Sequence, residues 1–282
     1  MTPGLGFALV AMLGFGVSDL IYKRGAIAGV KAGEFIMLQA WFFCPGMTLY
    51  AWLTGHLDLR VAALWGALAG AFLSVAMYNF AMSLRGGAVS TNAPIFRLNF
   101  TLTAALAILF LGETVTVAKC AALFCALIAV WLLLHEPAAK RAPMSARSLI
   151  RILIATAAMA LTNLFYKVGL QHGTLPETMI VAQAWVFCPT ATVLGWLEKR
   201  RFDPAPGAWL YPLLAALALA VAFVSLMHGL ALGPASVLVP VAQMGFVFTA
   251  IVGVAMFGER LNARKGAGLL VAIVALGLFA VS

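Results

Sequence analysis

The chain has 282 residues, of which 64% are hydrophobic and 10% charged, with a mean hydropathy of +1.04 and a formal net charge of +9. Soluble domains carry about 25% charged and about 45–50% apolar residues, so this composition excludes most soluble enzymes, nucleic-acid binders, disordered proteins and disulfide scaffolds. Because the apolar residues form long runs rather than a period-two alternation, the sequence predicts an all-α polytopic membrane protein and not a transmembrane barrel.

A helix needs about 20 residues to cross about 30 Å of hydrocarbon. Ten apolar stretches of that length follow one another along the chain, at 4–23, 33–54, 61–84, 88–111, 115–134, 148–170, 176–197, 209–230, 234–257 and 262–281. The connections between them are too short to hold a soluble domain. A polar, proline-containing segment separates the fifth and sixth spans, which gives a first half at 1–139, a cytoplasmic linker at 140–147 and a second half at 148–282.

The basic residues lie mainly at span ends and on one side of the predicted bundle. That side carries Lys23, Arg24, Lys31, Arg85, Lys140, Arg141, Arg147, Arg151, Lys199, Arg200, Arg201, Arg260, Arg264 and Lys265, whereas Arg60, Lys119 and Lys167 lie on the other. Since cytoplasmic loops are enriched in Lys and Arg, we expect a multi-pass protein of the inner (plasma) membrane with both termini outside. The positive charge then indicates contact with the lipid bilayer and not with nucleic acid.

The second half repeats the first. Residues 36–45 and 180–189 agree at seven of ten positions, including Gln-Ala-Trp and Phe-Cys-Pro. Pro94 and Pro240, and later a pair of Gly-Glu dipeptides, match at a slightly larger offset. Each copy holds five spans, so the second enters the membrane inverted relative to the first. Inverted repeats are typical of secondary transporters, whose substrate sites lie near the membrane midplane between the repeats.

With these features the sequence resembles the drug/metabolite transporter superfamily, EamA type. The residues that carry the resemblance are Lys23 and Lys167, after the first span of each repeat, and Glu113 and Glu259, after the fourth. It covers nearly the whole chain and implies export or exchange of small metabolites. The YddG-like aromatic amino-acid exporters of this superfamily have the same size and an aromatic-rich interior, while other branches carry nucleotide sugars or sugar phosphates.

The clearest candidate for a substrate-binding residue is Arg97, about ten residues into the fourth span and hence near the midplane. An ionisable side chain at that depth normally faces the bundle interior or water. Its counterpart in the second repeat is Gln243, and both side chains suit a carboxylate or an amide. A structural ion pair of Arg97 with Asp19, whose own counterpart is Asn163, is an equally weighted alternative.

Further candidates are polar or helix-breaking residues inside the spans. Pro94 and Pro240 should interrupt the fourth and ninth helices at matched places, which points to a transport site unless the kinks are inert. We also assign to substrate binding Tyr78, Asn79, Asn99, Asn163 and His228, with helix packing as the alternative, and His228 is in addition a possible proton carrier. Asp19, Lys23 and Lys167 are predicted to act in gating, and interface anchoring is the alternative for the two lysines.

These features predict a transporter and not an enzyme. No phosphate-cradling loop, metal-ligand spacing or catalytic triad occurs, so we expect no cofactor, no metal and no direct use of ATP. We predict alternating-access export of neutral or aromatic amino acids as a uniporter. Proton-coupled efflux of cationic drugs through Asp19 or His228 is the alternative, and exchange of sugar phosphates or nucleotide sugars is the less favoured one. The sequence is compatible with a monomer.

Overall fold

The computed structural model describes residues 2–84, 89–134, 145–199, 207, 209–257 and 263–282. Within these residues the chain forms twelve helices joined by short connections. They are α1 (Leu5–Ile27), α2 (Ala32–Leu53), α3 (Ala63–Ser83), α4 (Val89–Arg97), α5 (Asn99–Leu111), α6 (Val117–Leu134), α7 (Ala146–Gln171), α8 (Pro176–Lys199), α9 (Leu210–Leu232), α10 (Ala235–Gln243), α11 (Gly245–Phe257) and α12 (Ala263–Val281).

The helices account for the ten predicted spans. Across the described residues, nine helical stretches are long and apolar enough to cross a membrane, and the shorter apolar helix Val117–Leu133 takes the place of the fifth span. The protein is therefore a multi-pass membrane protein. Thr2 donates a hydrogen bond to the Ser282 carbonyl (2.8 Å), which places both chain ends together at what we call the terminal end. The opposite end, which carries Arg24, Arg147 and Arg264, is called the basic end.

The fourth and ninth spans are each divided into two helices. Leu98 separates α4 from α5, and Met244 separates α10 from α11. Pro94 and Pro240 lie inside the first half of each pair, where a proline ring removes one hydrogen bond and clashes with the carbonyl four residues earlier. At both breaks the backbone changes to a tighter turn, in which Leu98 N–H donates to the Ile95 carbonyl and Met244 N–H to the Val241 carbonyl, each at 3.0 Å.

Two helix ends differ from the sequence-based boundaries. The side chain of Ser145 caps α7 by accepting a hydrogen bond from Ser148 N–H (3.2 Å), so the helix begins at Ala146 and includes the last two residues of the predicted linker 140–147. Residues 140–144 lie outside the described residues. At the other boundary, α1 continues to Ile27, so that Lys23 is inside a helix and not at its end.

The two repeats interlock. The first span of each repeat packs along the third span of the other, giving the matched pairs α1–α9 and α3–α7. The second spans α2 and α8 pack on one another, as do the fifth spans α6 and α12. The apolar core therefore lies between the repeats, and neither repeat buries its own core alone.

A reciprocal pair of hydrogen bonds marks the pseudo-two-fold relation between α2 and α8. The indole N–H of Trp41 donates to Thr192 Oγ1 (3.0 Å), and the indole N–H of Trp185 donates to Thr48 Oγ1 (2.8 Å). Each tryptophan thus binds a threonine of the opposite repeat, and the two threonines occupy corresponding positions in the repeats. Residues that correspond in the sequence repeat therefore make equivalent contacts across the interface between α2 and α8.

Close approach of α3 and α8 depends on two glycines. A Cβ atom at Gly66 would lie 2.7 Å from the Met179 carbonyl oxygen, and one at Gly70 would lie 2.6 Å from the Gln183 carbonyl oxygen. The Gly-x-x-x-Gly segment of the third span is therefore used for packing inside one chain.

We predict that Gly70→Ala lowers the thermal stability of the purified protein in detergent. The added methyl group has to displace the backbone of α8, and overpacking of this kind costs about 1–3 kcal/mol. Gly277→Ala in α12 is the matched control, because nothing lies within 4 Å of its added Cβ atom. Equal melting temperatures for both variants would contradict the assigned α3–α8 contact.

Candidate functional site

The two broken helices bring Arg97 and Gln243 together. These residues are the last of α4 and of α10, the two half-helices that correspond in the repeats. Nη1 of Arg97 donates to Gln243 Oε1 (3.2 Å) and to the Gln243 carbonyl oxygen (3.5 Å). The guanidinium therefore lies at the C-terminal end of α10, where a positive charge is favoured by the helix dipole. We call Asp19, Arg97 and Gln243 the central cluster.

Asp19 supplies the negative charge of the central cluster. Its Oδ2 atom accepts a hydrogen bond from Nη2 of Arg97 at 3.3 Å, which joins the first span to the break in the fourth. The pair is only partly buried, with 25% of the Arg97 side chain and 39% of the Asp19 side chain exposed. The ring of Phe246, on α11, lies 5.9 Å below the guanidinium carbon. The central cluster is thus an accessible pair of opposite charges beside an aromatic face.

The contacts within the central cluster are long for charged groups. Hydrogen bonds between a guanidinium and a carboxylate are typically about 2.7–2.9 Å, whereas the one between Arg97 and Asp19 measures 3.3 Å. A ligand with a carboxylate and an ammonium group offers both charges a replacement at little cost. The arrangement can therefore bind a small molecule by exchanging internal partners for external ones.

Asn99 and Asn163 form a second polar group, which is fully buried. Nδ2 of Asn163 lies 3.4 Å from Asn99 Oδ1 and 3.3 Å from Thr103 Oγ1, and all three residues are at most 2% exposed. These bonds connect α7 to α5. No bond between them and the central cluster occurs in the described residues, so their geometry is that of helix packing. Their predicted role in substrate binding stays a prediction.

Lys167 and Glu113 hold helix ends together at the terminal end. Nζ of Lys167 donates to the carbonyl oxygens of Leu230 (2.6 Å), in the last turn of α9, and Gly233 (2.8 Å), which directly follows that helix. The carboxylate of Glu113 accepts from the N–H groups of Ala235 (2.7 Å) and Ser236 (2.9 Å) at the start of α10. Lys167 therefore binds backbone carbonyls of its own repeat, whereas Glu113 binds backbone N–H groups of the opposite repeat. Each charge has the sign that the helix terminus it contacts favours.

The half-helices of the two repeats are buried to different extents. In α10, residues Ala235–Ala242 are almost all fully buried, and the helix packs mainly on α5 and α1. In the matched helix α4, the side chains of residues 93–97 are partly exposed. The matched half-helices therefore differ in burial, with α10 at the terminal end enclosed by its neighbours and α4 at the basic end partly exposed.

His228 lies at the terminal end and not in the central cluster. Its Nε2 atom is 3.5 Å from Glu177 Oε1, and the same oxygen is 3.4 Å from Nδ1 of His56. The ring also stacks on Phe7. Glu177 and His56 were absent from the sequence-based candidates, since nothing in their spacing marks them as partners. The assignment of His228 to substrate binding stays a prediction.

The remaining candidates lie at the basic end. Tyr78 and Asn79 line a groove between α3 and α7 with two arginines, separate from Arg97. Lys23 lies four residues before the end of α1, and Glu259, the repeat counterpart of Glu113, is outside the described residues. The predicted gating role of Lys23 stays a prediction.

Comparison with known proteins agrees with this architecture. The model of the EamA-like transporter family matches residues 2–135 and 146–281, one match in each half. An uncharacterized transporter in the cobO 3′ region of a Sinorhizobium species is 29% identical over 127 residues, which are 44% of this chain and 89% of that protein. A crystal structure described only as that of a protein has a TM-score of 0.79 at 13% identity and covers 99% of this chain and 96% of its own, which shows the fold alone.

We expect Asp19 and Arg97 to be coupled in stability. Asp19→Asn and Arg97→Gln each leave one charge near the midplane without its partner, and each should lower stability in detergent by about 1–3 kcal/mol. The double variant removes both charges and should lose less than the sum of the single changes.

Asp58→Asn serves as the control for this cycle. Its partner Arg60 is 86% exposed, and exposed pairs contribute about 0–1 kcal/mol. Strictly additive losses in the Asp19 and Arg97 variants, measured by thermal unfolding, would show that the two charges are not coupled.

Proposed function

The chain belongs to the EamA-like transporter family and transports small molecules across a membrane; on that premise we propose that its substrates are neutral amino acids, aromatic ones foremost, and that it exports them. The observation that carries this proposal is the Arg97–Asp19 pair at 3.3 Å between the two broken helices. Midplane sites between inverted repeats, next to interrupted helices, are where secondary transporters bind their substrates.

A zwitterion matches the central cluster in charge and in geometry. An α-carboxylate can accept from the guanidinium of Arg97, which offers planar paired donors, while an α-ammonium group can donate to Asp19. Gln243 supplies an amide next to both. Such a ligand pairs with both Arg97 and Asp19. A ligand that carries only a positive or only a negative charge would leave one of these two residues without a partner.

Aromatic side chains near the central cluster favour a substrate with a ring. Phe15 lies one turn before Asp19 on α1 and meets the ring of Phe223 edge to face at 5.4 Å. Phe96 precedes Arg97 and lies 4.7 Å from Phe80. Offset and edge-to-face contacts of this kind stabilise an additional ring.

The unequal burial of the matched half-helices supports alternating access. Two inverted copies that exchange conformations open the site to one side and then to the other. The enclosed α10 at the terminal end, where Lys167 and Glu113 bind helix ends, and the partly exposed α4 support an arrangement that is open toward the basic end. With the basic end in the cytoplasm and both termini outside, this arrangement receives substrate from the cell.

We predict that Arg97→Ala and Gln243→Ala lower amino-acid transport in proteoliposomes by about tenfold or more, since a hydrogen bond to a charged group contributes about 1.5–3 kcal/mol. Arg60→Ala and Gln171→Ala make the same changes at exposed positions and should transport normally. The assay compares amino acids, amines and sugar phosphates as competitors. Normal transport by both central variants, at equal amounts of folded protein, would place the substrate site elsewhere.

A uniporter should equilibrate its substrate without a pH gradient. We therefore expect the same initial rates in liposomes with and without an imposed gradient of one pH unit. Strict dependence on the gradient would replace the uniport proposal with proton-coupled efflux through Asp19 or His228.

A further inference from the structure

A groove between α3 and α7 at the basic end carries a second set of polar side chains. It encloses a cavity of about 470 Å³ lined by Tyr78, Asn79, Arg147, Ile150, Arg151 and Ile154. The four residues from α7 recur at intervals of three and four, so they form one face of that helix. None of the six bonds to the central cluster in the described part of the chain.

The positive charge in this groove has no counter-ion among the described residues. Arg147 and Arg151 lie one turn apart at the start of α7, and neither forms an ion pair there. Arg151 is six residues into the helix, about 7–9 Å from its start at 1.5 Å per residue. An arginine at that depth in a membrane-spanning helix normally finds a partner, by pairing or by reaching the interface.

Tyr78 and Asn79, the polar neighbours of the two arginines, line the same groove. The Tyr78 side chain is 38% exposed, and its hydroxyl forms no hydrogen bond within the residues that the structure describes. Nδ2 of Asn79 donates to the Val75 carbonyl oxygen of its own helix (2.9 Å). Two guanidinium groups and a phenol hydroxyl can together donate to the oxygens of a phosphate.

The apolar residues of the groove face outward. Ile150 is 59% exposed and Ile154 is 43% exposed, and they alternate with the two arginines along α7. In a membrane-spanning helix, exposed isoleucines of this kind lie against acyl chains. The groove thus presents phosphate donors at its polar end and a hydrophobic surface directly beside them.

We propose that this groove binds an anionic phospholipid of the leaflet at the basic end, with the headgroup phosphate on Arg147 and Arg151 and an acyl chain along Ile150 and Ile154. Basic grooves between helices near the cytoplasmic surface bind lipid headgroups in this way. A soluble phosphate compound would use only the arginines and would gain nothing from the isoleucines. The site is independent of the substrate carried by the central cluster.

The test compares lipids and phosphate compounds in their effect on thermal stability. The purified protein in detergent is mixed with phosphatidylglycerol, phosphatidylcholine or glycerol 3-phosphate. We expect phosphatidylglycerol to raise the melting temperature by several degrees more than the other two compounds. Arg147→Gln with Arg151→Gln should reduce that difference by at least half, whereas Arg264→Gln with Lys265→Gln, two cations at the start of α12 at the same end, should leave it unchanged.

The outcomes separate the possible ligands. An equal shift with glycerol 3-phosphate would identify a site for soluble phosphate compounds and overturn the lipid proposal. A full phosphatidylglycerol shift in the Arg147 and Arg151 variant would do the same. If that variant does not fold, native mass spectrometry of the unmodified protein replaces the comparison. The proposal requires that the protein retains phosphatidylglycerol in preference to phosphatidylcholine. Equal retention of the two lipids would contradict it.

Discussion

The structure depends on how two interrupted helices satisfy their backbone inside the membrane. Hydrocarbon offers no hydrogen bonds, so every free carbonyl or N–H group at that depth needs a partner within the protein. The breaks at Leu98 and Met244 lie near the middle of their spans. Arg97 meets this requirement by donating to the carbonyl of Gln243, and Asp19 balances its charge. Arg97 and Asp19, which satisfy the backbone and the charge at the helix breaks, are therefore also the groups that can bind a ligand.

The inverted repeat explains why the same sequence pattern occurs in two environments. Trp41 and Trp185 each bond to a threonine of the opposite repeat at nearly the same distance, because α2 and α8 are equivalent helices that pack on one another. Elsewhere the symmetry is lost, since α10 is buried and its counterpart α4 is partly exposed. Two copies of one sequence pattern thus adopt different degrees of burial within a single structure.

The sequence predicted much of this architecture but few of the contacts that its polar residues make. The repeated Gln-Ala-Trp segments revealed the inverted copies, and Pro94 and Pro240 located the breaks, because proline acts on its own helix. Spans that are apolar on every side give no signal for their rotation about the axis. For that reason Asn99 appeared as a candidate ligand although it is buried, and the backbone partners of Glu113 could not be predicted. Arg97 was selected as a candidate because a charge near the midplane normally faces the bundle interior, and the structure places it between Asp19 and Gln243.

The most direct test of the central cluster is its accessibility to a thiol reagent. Gln243→Cys is made in a protein whose four native cysteines are replaced by alanine, and alkylation is followed in proteoliposomes. The account predicts that a transported amino acid slows labelling at position 243, while labelling of Gly277→Cys on α12 does not change. An unchanged rate at position 243 would contradict it, provided that the amino acid is one that the unmodified protein transports and is supplied at a concentration high enough to offset the roughly tenfold loss expected when Gln243 is replaced.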